Sequence, residues 1–481
     1  MTRDQLWSGL GLLAPLKARA SGGLAPGVGG VSIDTRTLVP GDLFFAIRGD
    51  SSDGHDYVRA AFEKGAAAAV VDEAHVDQFA GAGPLYVVRD TLAAMRDLGV
   101  AARARARAQA RVIAVTGSAG KTSTKEALRF VLSKFGAAHA SAASYNNHWG
   151  VPLSLARMPS TTRFGVFEIG MNHAGEITPL VAMARPHIAI VTTVAPVHLE
   201  HFASVAAIAE AKGEIFSGLT KGGVALINRD IAEYAILEGA ARRSPAGHIL
   251  NFGEHAEADA RLLDVTPEGE GSRVRAGMFG REIAFRLGAP GRHQAMNALA
   301  VLAACKASGV DLDEAAAALA DFAPPAGRGA RHMLHAAKGA FTLIDESYNA
   351  NPASMRAALA LAGGTKPGAG GRRIAVLGDM LELGPTSPRL HAALLEAVVG
   401  NDIDAVFAAG PMMKHLHDAL PEARRGAWRA NAAELTPIVI DAIGAGDVVV
   451  VKGSNGSRMG PVVATLRQRF ASEPARALEQ A

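Results

Sequence analysis

The sequence is poor in cysteine. Cys305 stands alone among 481 residues, so no intramolecular disulfide can form and no four-cysteine metal site exists. A reducing compartment is compatible with this. There is also little excess charge of either sign. The 49 Lys and Arg residues face 46 Asp and Glu, a net charge of +3, which is too even to argue for nucleic acid. No run reaches the roughly 20 apolar residues of a membrane span. The apolar stretch near the N-terminus is short and preceded by Asp4, so it reads as an amphipathic segment of the fold and not as a signal peptide. The expectation is a cytoplasmic chain with no membrane insertion, no nucleic acid and no obligate protein partner. No fixed-period repeat is present.

What is there has the balance of a soluble globular protein, 49% hydrophobic and 20% charged. Its length predicts two or three domains, because single cores rarely grow so large. Short apolar runs at 67–71, 112–115, 165–169, 188–194, 223–227, 374–377, 405–408 and 447–451 alternate with alanine-rich helical stretches. That alternation predicts an α/β protein with mostly parallel sheets, whose ligands bind at the carboxyl ends of the strands. Two seams divide the chain. AARARARAQAR at 101–111 reads as a solvated helix or linker, and FAPPAGRG at 322–329 breaks helix-forming sequence with prolines and glycines. The predicted domains are 1–108, 109–325 and 326–481.

The strongest local signal is TGSAGKTS, comprising Thr116, Gly117, Ser118, Ala119, Gly120, Lys121, Thr122 and Ser123. It follows an apolar run and precedes a helical stretch, the context a phosphate loop requires. Glycines let backbone N–H groups approach phosphate oxygens, and the helix N-terminus adds partial positive charge. Lys121 supplies a charge for the β and γ phosphates, and Thr122 offers a hydroxyl to magnesium. The usual first glycine is missing, since the position five before Gly120 is Val115. Further on, Glu168 sits where an apolar run ends, a suitable place for a magnesium carboxylate. His198 follows the next run closely and is a second candidate ligand. Lys212, between Glu210 and Glu214, reads in isolation as a solvated helix residue.

The spacing T-G-x-x-G-K-T resembles the Mur ligases and the related folylpolyglutamate synthetases, not kinases, GTPases or motor ATPases. The order EIGM, HL, AKGEI also resembles the Mur ligases. The resemblance implies that Glu168, His198 and a carbamylated Lys212 hold magnesium, two ions in all, beside ATP. SYNNHWGVPLSL resembles the family's N-N-x-x-G-V-P-L, which implies that Asn146 and Asn147 face the phosphates. GRHQAMN resembles the family's G-x-H-N-x-x-N, which places Asn297 at the position that approaches the adenine and His293 at the motif histidine, both on the nucleotide side, with Gln294 replacing the commoner asparagine.

The outer segments extend the likeness. VSIDTRTLVPGDLFFAIRGDSSDGHDY resembles a uridine-nucleotide domain of this family, implying that Asp34, Thr35, Arg36, Gly49, Asp53, Gly54 and His55 bind substrate. DESYNANP, with Asp345, Tyr348, Asn349 and Asn351, resembles the branch that adds D-alanyl-D-alanine, with Glu346 replacing an aspartate. The D-N-P-R motif of the diamino-acid-adding branch is absent. VKGSNGSRM, with Lys452 and Ser454, and Arg328 in AGRG match the same branch; in the family this arginine reaches toward ATP. The implied activity is joining D-alanyl-D-alanine to a UDP-N-acetylmuramoyl-tripeptide at the expense of ATP, with Lys121, Lys212, His198 and Arg328 in catalytic roles. A ligase for the third amino acid, a folylpolyglutamate synthetase and a phosphate-loop motor are the alternatives.

Overall fold

The apolar runs at 112–115, 165–169, 188–194 and 223–227 become adjacent strands of one sheet in the computed structural model, which describes residues 4–49, 52–197 and 199–471. Strand Arg111–Thr116 lies between Phe164–Glu168 and Ile188–Val191, and all three run parallel. Their residues are buried on both faces, as continuous apolar strands require. Helices Lys121–Leu132 and Arg292–Ala307 cover one face, and helices Ile177–Ala184, Val205–Gly213 and Tyr234–Arg242 cover the other. Nine strands form this sheet. The last three, Ala260–Glu268, Gly271–Met278 and Arg281–Leu287, are an antiparallel extension.

A five-stranded sheet spans Arg19–Ser21 to Leu85–Val88, and a six-stranded sheet spans Ala330–Ala336 to Val448–Lys452. Each is parallel except for one edge strand. Helices bury the apolar residues on both faces of the six-stranded sheet. The sequence expectation of an α/β chain with mostly parallel sheets is met. The run expected at 188–194 stops as a strand at Val191, because Thr192 and Thr193 turn toward the phosphate loop.

The first seam, expected as a solvated helix or linker, starts as helix but is tied down by its arginines. Helix Thr91–Ala104 continues through its first four residues. Arg103 then donates to the carbonyls of Ala184 and Arg185, each at 2.8 Å. Arg105 donates to Leu6 O at 2.8 Å and Met158 O at 3.1 Å, and stacks 3.3 Å over the Trp7 ring. A guanidinium presents five donors in a plane, so it can tie several chain segments at once. Tyr145, Trp149, Leu153 and Ala156 complete the core around Trp7, Leu12 and Leu98. The five-stranded and nine-stranded units therefore share apolar packing. No helix is long and apolar enough to cross a membrane among the described residues.

Candidate active site

The phosphate loop leaves the carboxyl end of strand Arg111–Thr116 and enters helix Lys121–Leu132. Gly117 has φ +149° and Gly120, the helix N-cap, has φ +83°. A Cβ on Gly117 would lie 2.0 Å from Thr192 Oγ1, and one on Gly120 would lie 2.7 Å from Asn297 Oδ1, so both positions need glycine. Thr192 braces the loop from the next strand by donating to Thr116 O at 3.1 Å and Ala119 O at 2.5 Å. The free N–H groups of the helix start point out of this loop, where an anion is stabilised. Lys121 Nζ folds back onto Gly117 O at 2.5 Å. Burial lowers its pKa and the positive charge of Arg328 adds to this, against the opposing charge of Glu168.

Glu168 ends the neighbouring strand, paired with Val115. It is 1% exposed, and Thr122 Oγ1 donates to its Oε2 at 2.6 Å while Asn146 Nδ2 donates to Oε1 at 2.8 Å. It forms no ion pair among the described residues. Both of its side-chain hydrogen bonds come from neutral donors, and the nearby Lys121 acts on it only through space. With a hydroxyl beside it, this oxygen set fits a hard divalent cation such as magnesium. His198 lies outside the described residues. Lys212, on helix Val205–Gly213, is 3% exposed, and its side chain has no hydrogen bond among the described residues. Burial pushes its pKa well below the lysine range, and the charge of Lys121 pushes it further.

The six-stranded unit closes the site. Asn351 Nδ2 donates to Ser118 O of the phosphate loop at 3.1 Å. Arg328 reaches Ser144 Oγ at 3.4 Å and sits 4.2 Å from the Tyr348 ring centre. Its carbonyl accepts from Gln294 Nε2 at 3.3 Å, so the exchanged glutamine steadies this arginine's backbone. Buried Lys452 donates to Asn349 O at 2.8 Å and lies 3.4 Å from Glu346 Oε2. His293 Nε2 is 3.9 Å from Glu346 Oε1, and its burial lowers its pKa. The resulting cavity of about 560 Å³ is lined by Ser118–Ser123, Asn146, Glu168, His293, Asn297, Arg328, Tyr348, Asn349, Asn351, Lys452 and Ser454, among others. That size suits a nucleotide-scale ligand.

Other candidates lie elsewhere. Asn147 does not line the cavity; its Oδ1 accepts the N–H groups of Trp149 and Gly150 and braces the turn into the next helix. The carboxylate of Asp345 is taken by the N–H groups of Gly327 and Ser347 and the Ser347 hydroxyl, so it braces the second seam. Asp34 and Arg36 form an exposed pair at 2.7 Å, beside Thr35 whose carbonyl accepts from Lys64 Nζ. His55 is buried, with Nδ1 2.6 Å from Asp53 Oδ1 and Nε2 accepting the N–H of Asp72. Both ring nitrogens are thereby used inside the unit. Gly54 packs against the Ile47 backbone and Gly49 against Trp149. Ser144 and Thr192 join the site without having stood out in the sequence; adjacency to a strand end was the available signal for Thr192.

Three family descriptions match along the chain: "Mur ligase family, catalytic domain" at 27–118, "Mur ligase middle domain" at 115–305, and "Mur ligase, glutamate ligase domain" at 330–455. A UDP-N-acetylmuramoyl-tripeptide--D-alanyl-D-alanine ligase of Escherichia coli (strain K12) is 35% identical over 91% of this chain and 93% of its own length. A crystal structure of MurF from Acinetobacter baumannii superposes with TM-score 0.82 at 27% identity, covering 96% of this chain and 99% of that one. MurF from Thermotoga maritima, solved in complex with ADP, shares the fold with TM-score 0.76 at 24% identity, over 91% and 97% of the two chains. With those matches and a phosphate loop, a buried carboxylate and a C-terminal arginine around one cavity, the chain belongs to the Mur ligase family.

Proposed function

We propose that this protein is the ATP-dependent ligase that joins D-alanyl-D-alanine to UDP-N-acetylmuramoyl-tripeptide, giving the UDP-linked pentapeptide, ADP and phosphate for peptidoglycan synthesis. The observation that carries this reading is the DESYNANP segment. Tyr348, Asn349 and Asn351 stand in the wall of the cavity that the phosphate loop opens. The domains assigned to 1–108, 109–325 and 326–481 supply uridine-nucleotide binding, ATP binding and dipeptide binding in that order. The cytoplasm, where ATP is abundant, is the compartment that suits this chemistry.

A carboxylate and an amine do not condense in water without a leaving group. The γ-phosphoryl of ATP moves to a carboxylate oxygen of the tripeptide, the bond to ADP breaks, and an acyl phosphate forms. Such transfer rests on positioning and on neutralising charge. Loop N–H groups cradle the phosphates, with Lys121 and Arg328 on either side, and Asn297 and His293 flank the base. Thr122, Glu168, His198 and Lys212 would hold magnesium, which would neutralise phosphate and carboxylate charge when bound. Lys212 suits that task as a carbamate. Its neutral amine forms a bond to the carbon of carbon dioxide and releases a proton, leaving an anion with two oxygen donors. The dipeptide amine then attacks the acyl carbon, and phosphate leaves. A model α-amino group has a pKa of about 7.7–8.0, so part of it is already neutral near pH 7. Asp34, Thr35, Arg36, Gly49, Asp53, Gly54 and His55 shape the uridine-nucleotide surface, the buried ones by holding its loops.

The test is turnover. Purified protein should form ADP with UDP-N-acetylmuramoyl-tripeptide and D-alanyl-D-alanine together, and not with either alone. Equal or faster turnover with the UDP-linked dipeptide and a free diamino acid would sink the assignment.

A further inference from the structure

Helix Lys121–Leu132 carries a second lysine one turn after Lys121, and the proposed mechanism makes no use of it. Lys125 is fully buried. Its ammonium meets Ser141 O at 2.7 Å, Ala143 O at 2.6 Å and Glu126 Oε1 at 2.8 Å. An ammonium has three donors, so all three are used. The two carbonyls belong to the segment that leads into the active-site loop. Ala143 there has φ +44°, the left-handed region that a residue with a Cβ rarely enters. Such a conformation persists where its surroundings over-determine it, and two carbonyls drawn to one buried cation do so.

The turn directs the residues that come after it into the site. Ser144 Oγ comes to 3.3 Å from Thr122 Oγ1 and 3.4 Å from Arg328 Nη2. Asn146 donates to Glu168 Oε1 at 2.8 Å, and its own carbonyl accepts the N–H of Gly170 at 2.8 Å. As a source of stability, a buried ammonium has little advantage over a well-packed apolar side chain. It does fix the direction of two carbonyls, which an apolar side chain cannot do. We propose that Lys125 is a positioning residue for the phosphoryl-transfer end of the cavity: by gripping Ser141 and Ala143 it sets the turn that presents Ser144 and Asn146 to Thr122, Arg328 and Glu168. The inference rests on the reading that Thr122 and Glu168 hold a divalent cation.

The near-isosteric Lys125→Met removes the grip. Titration calorimetry of the full chain with ADP, with and without Mn²⁺, reads the consequence apart from catalysis. Lys125→Met should bind ADP alone within about twofold of wild type. It should lose about tenfold or more of the affinity that Mn²⁺ adds in the wild type. Its kcat should fall with little change in KM for ATP. A merely structural lysine would instead weaken both titrations alike, and an unchanged Mn²⁺ gain overturns the proposal. If Lys125→Met does not fold, Ser144→Ala carries the test. It leaves the grip intact and should still lose part of the Mn²⁺ gain, so a wild-type gain there also overturns the proposal. In a double-mutant cycle the second change should add little to the first, whereas full additivity would separate the two residues and refute the link. A wild-type protein with no Mn²⁺ gain removes the cation reading, and this inference with it, whatever the turnover assay gives.

Discussion

Half-buried Lys121 and buried Lys212 are close enough for the charge of the first to lower the pKa of the second. Lys121 has an acceptor and a ligand anion to meet, so its value lies in being charged. Replacing it with alanine should lower turnover by ~100-fold or more, as removal of a transition-state donor does. Binding of the UDP substrate, measured by calorimetry, should stay within a few-fold, and activity near wild type would show that TGSAGKTS is not the catalytic loop. The Lys212 ammonium lacks a partner among the described residues, and its burial favours the neutral amine that the proposed carbamate needs. Lys212→Ala should be nearly inactive and regain turnover with small carboxylic acids at high concentration, while Lys212→Arg should not. A Lys212→Ala enzyme of normal rate would remove the carbamate. Half-buried His187 shows neutrality used for structure. Burial, with Arg103 and Arg111 nearby, lowers its pKa to about 4, and its Nδ1 accepts the N–H of Val112. In the unfolded chain the group titrates near 6.5. Between those values the unfolded state binds more protons, so stability is full above pH 6.5 and declines as pH falls toward 4. Urea unfolding from pH 7.5 to 4.5 should show a shallower decline for His187→Gln than for wild type; parallel curves would assign the acid loss elsewhere.

At the scale of elements, the strand, glycine loop and helix form the unit on which the site depends. Gly117→Ala should weaken ADP binding about tenfold or more by driving a Cβ into Thr192, and should scarcely change urea unfolding of the C-terminal unit. Undiminished ADP affinity would mean that the loop can shift to accept the side chain. The parallel strands were legible because burial on both faces leaves an uninterrupted apolar run, as in 112–115. The antiparallel extension was not, although Gly271–Met278 alternates buried Val274, Ala276 and Met278 with exposed Arg273 and Arg275. Its charged residues masked the period-two pattern. Glu168 was legible because a carboxylate ending an apolar strand has few structural uses. Lys125 was not, since a lysine on a helix beside a glutamate looks solvated until the carbonyls that meet it are known. Asp345 and His55 stand where family motifs put them, but their bonds lie within the protein. A motif marks a position without saying whether it faces the ligand or supports the residue that does.

For the whole molecule, the two seams differ. Arg103 and Arg105 bind the first, whereas Gly327 and Gly329 stand in the second with φ +76° and +98°. Closure around substrates should therefore swing the C-terminal unit about 322–329. Small-angle scattering should show compaction when nucleotide and UDP substrate are added together, and an unchanged profile at saturation would mean a preformed site. The apolar packing shared across the first seam also bears on synthesis. Chains emerge from the ribosome N-terminus first and fold by units as these become complete. Trp7, Leu12 and Leu98 acquire the apolar cover of Leu153 and Ala156 only after those residues have been made. A nascent chain stopped near residue 108 thus carries an open core, and the first length able to close it ends near Met158, whose carbonyl anchors Arg105. Truncated genes meant to yield a soluble uridine-binding fragment should be cut beyond that point.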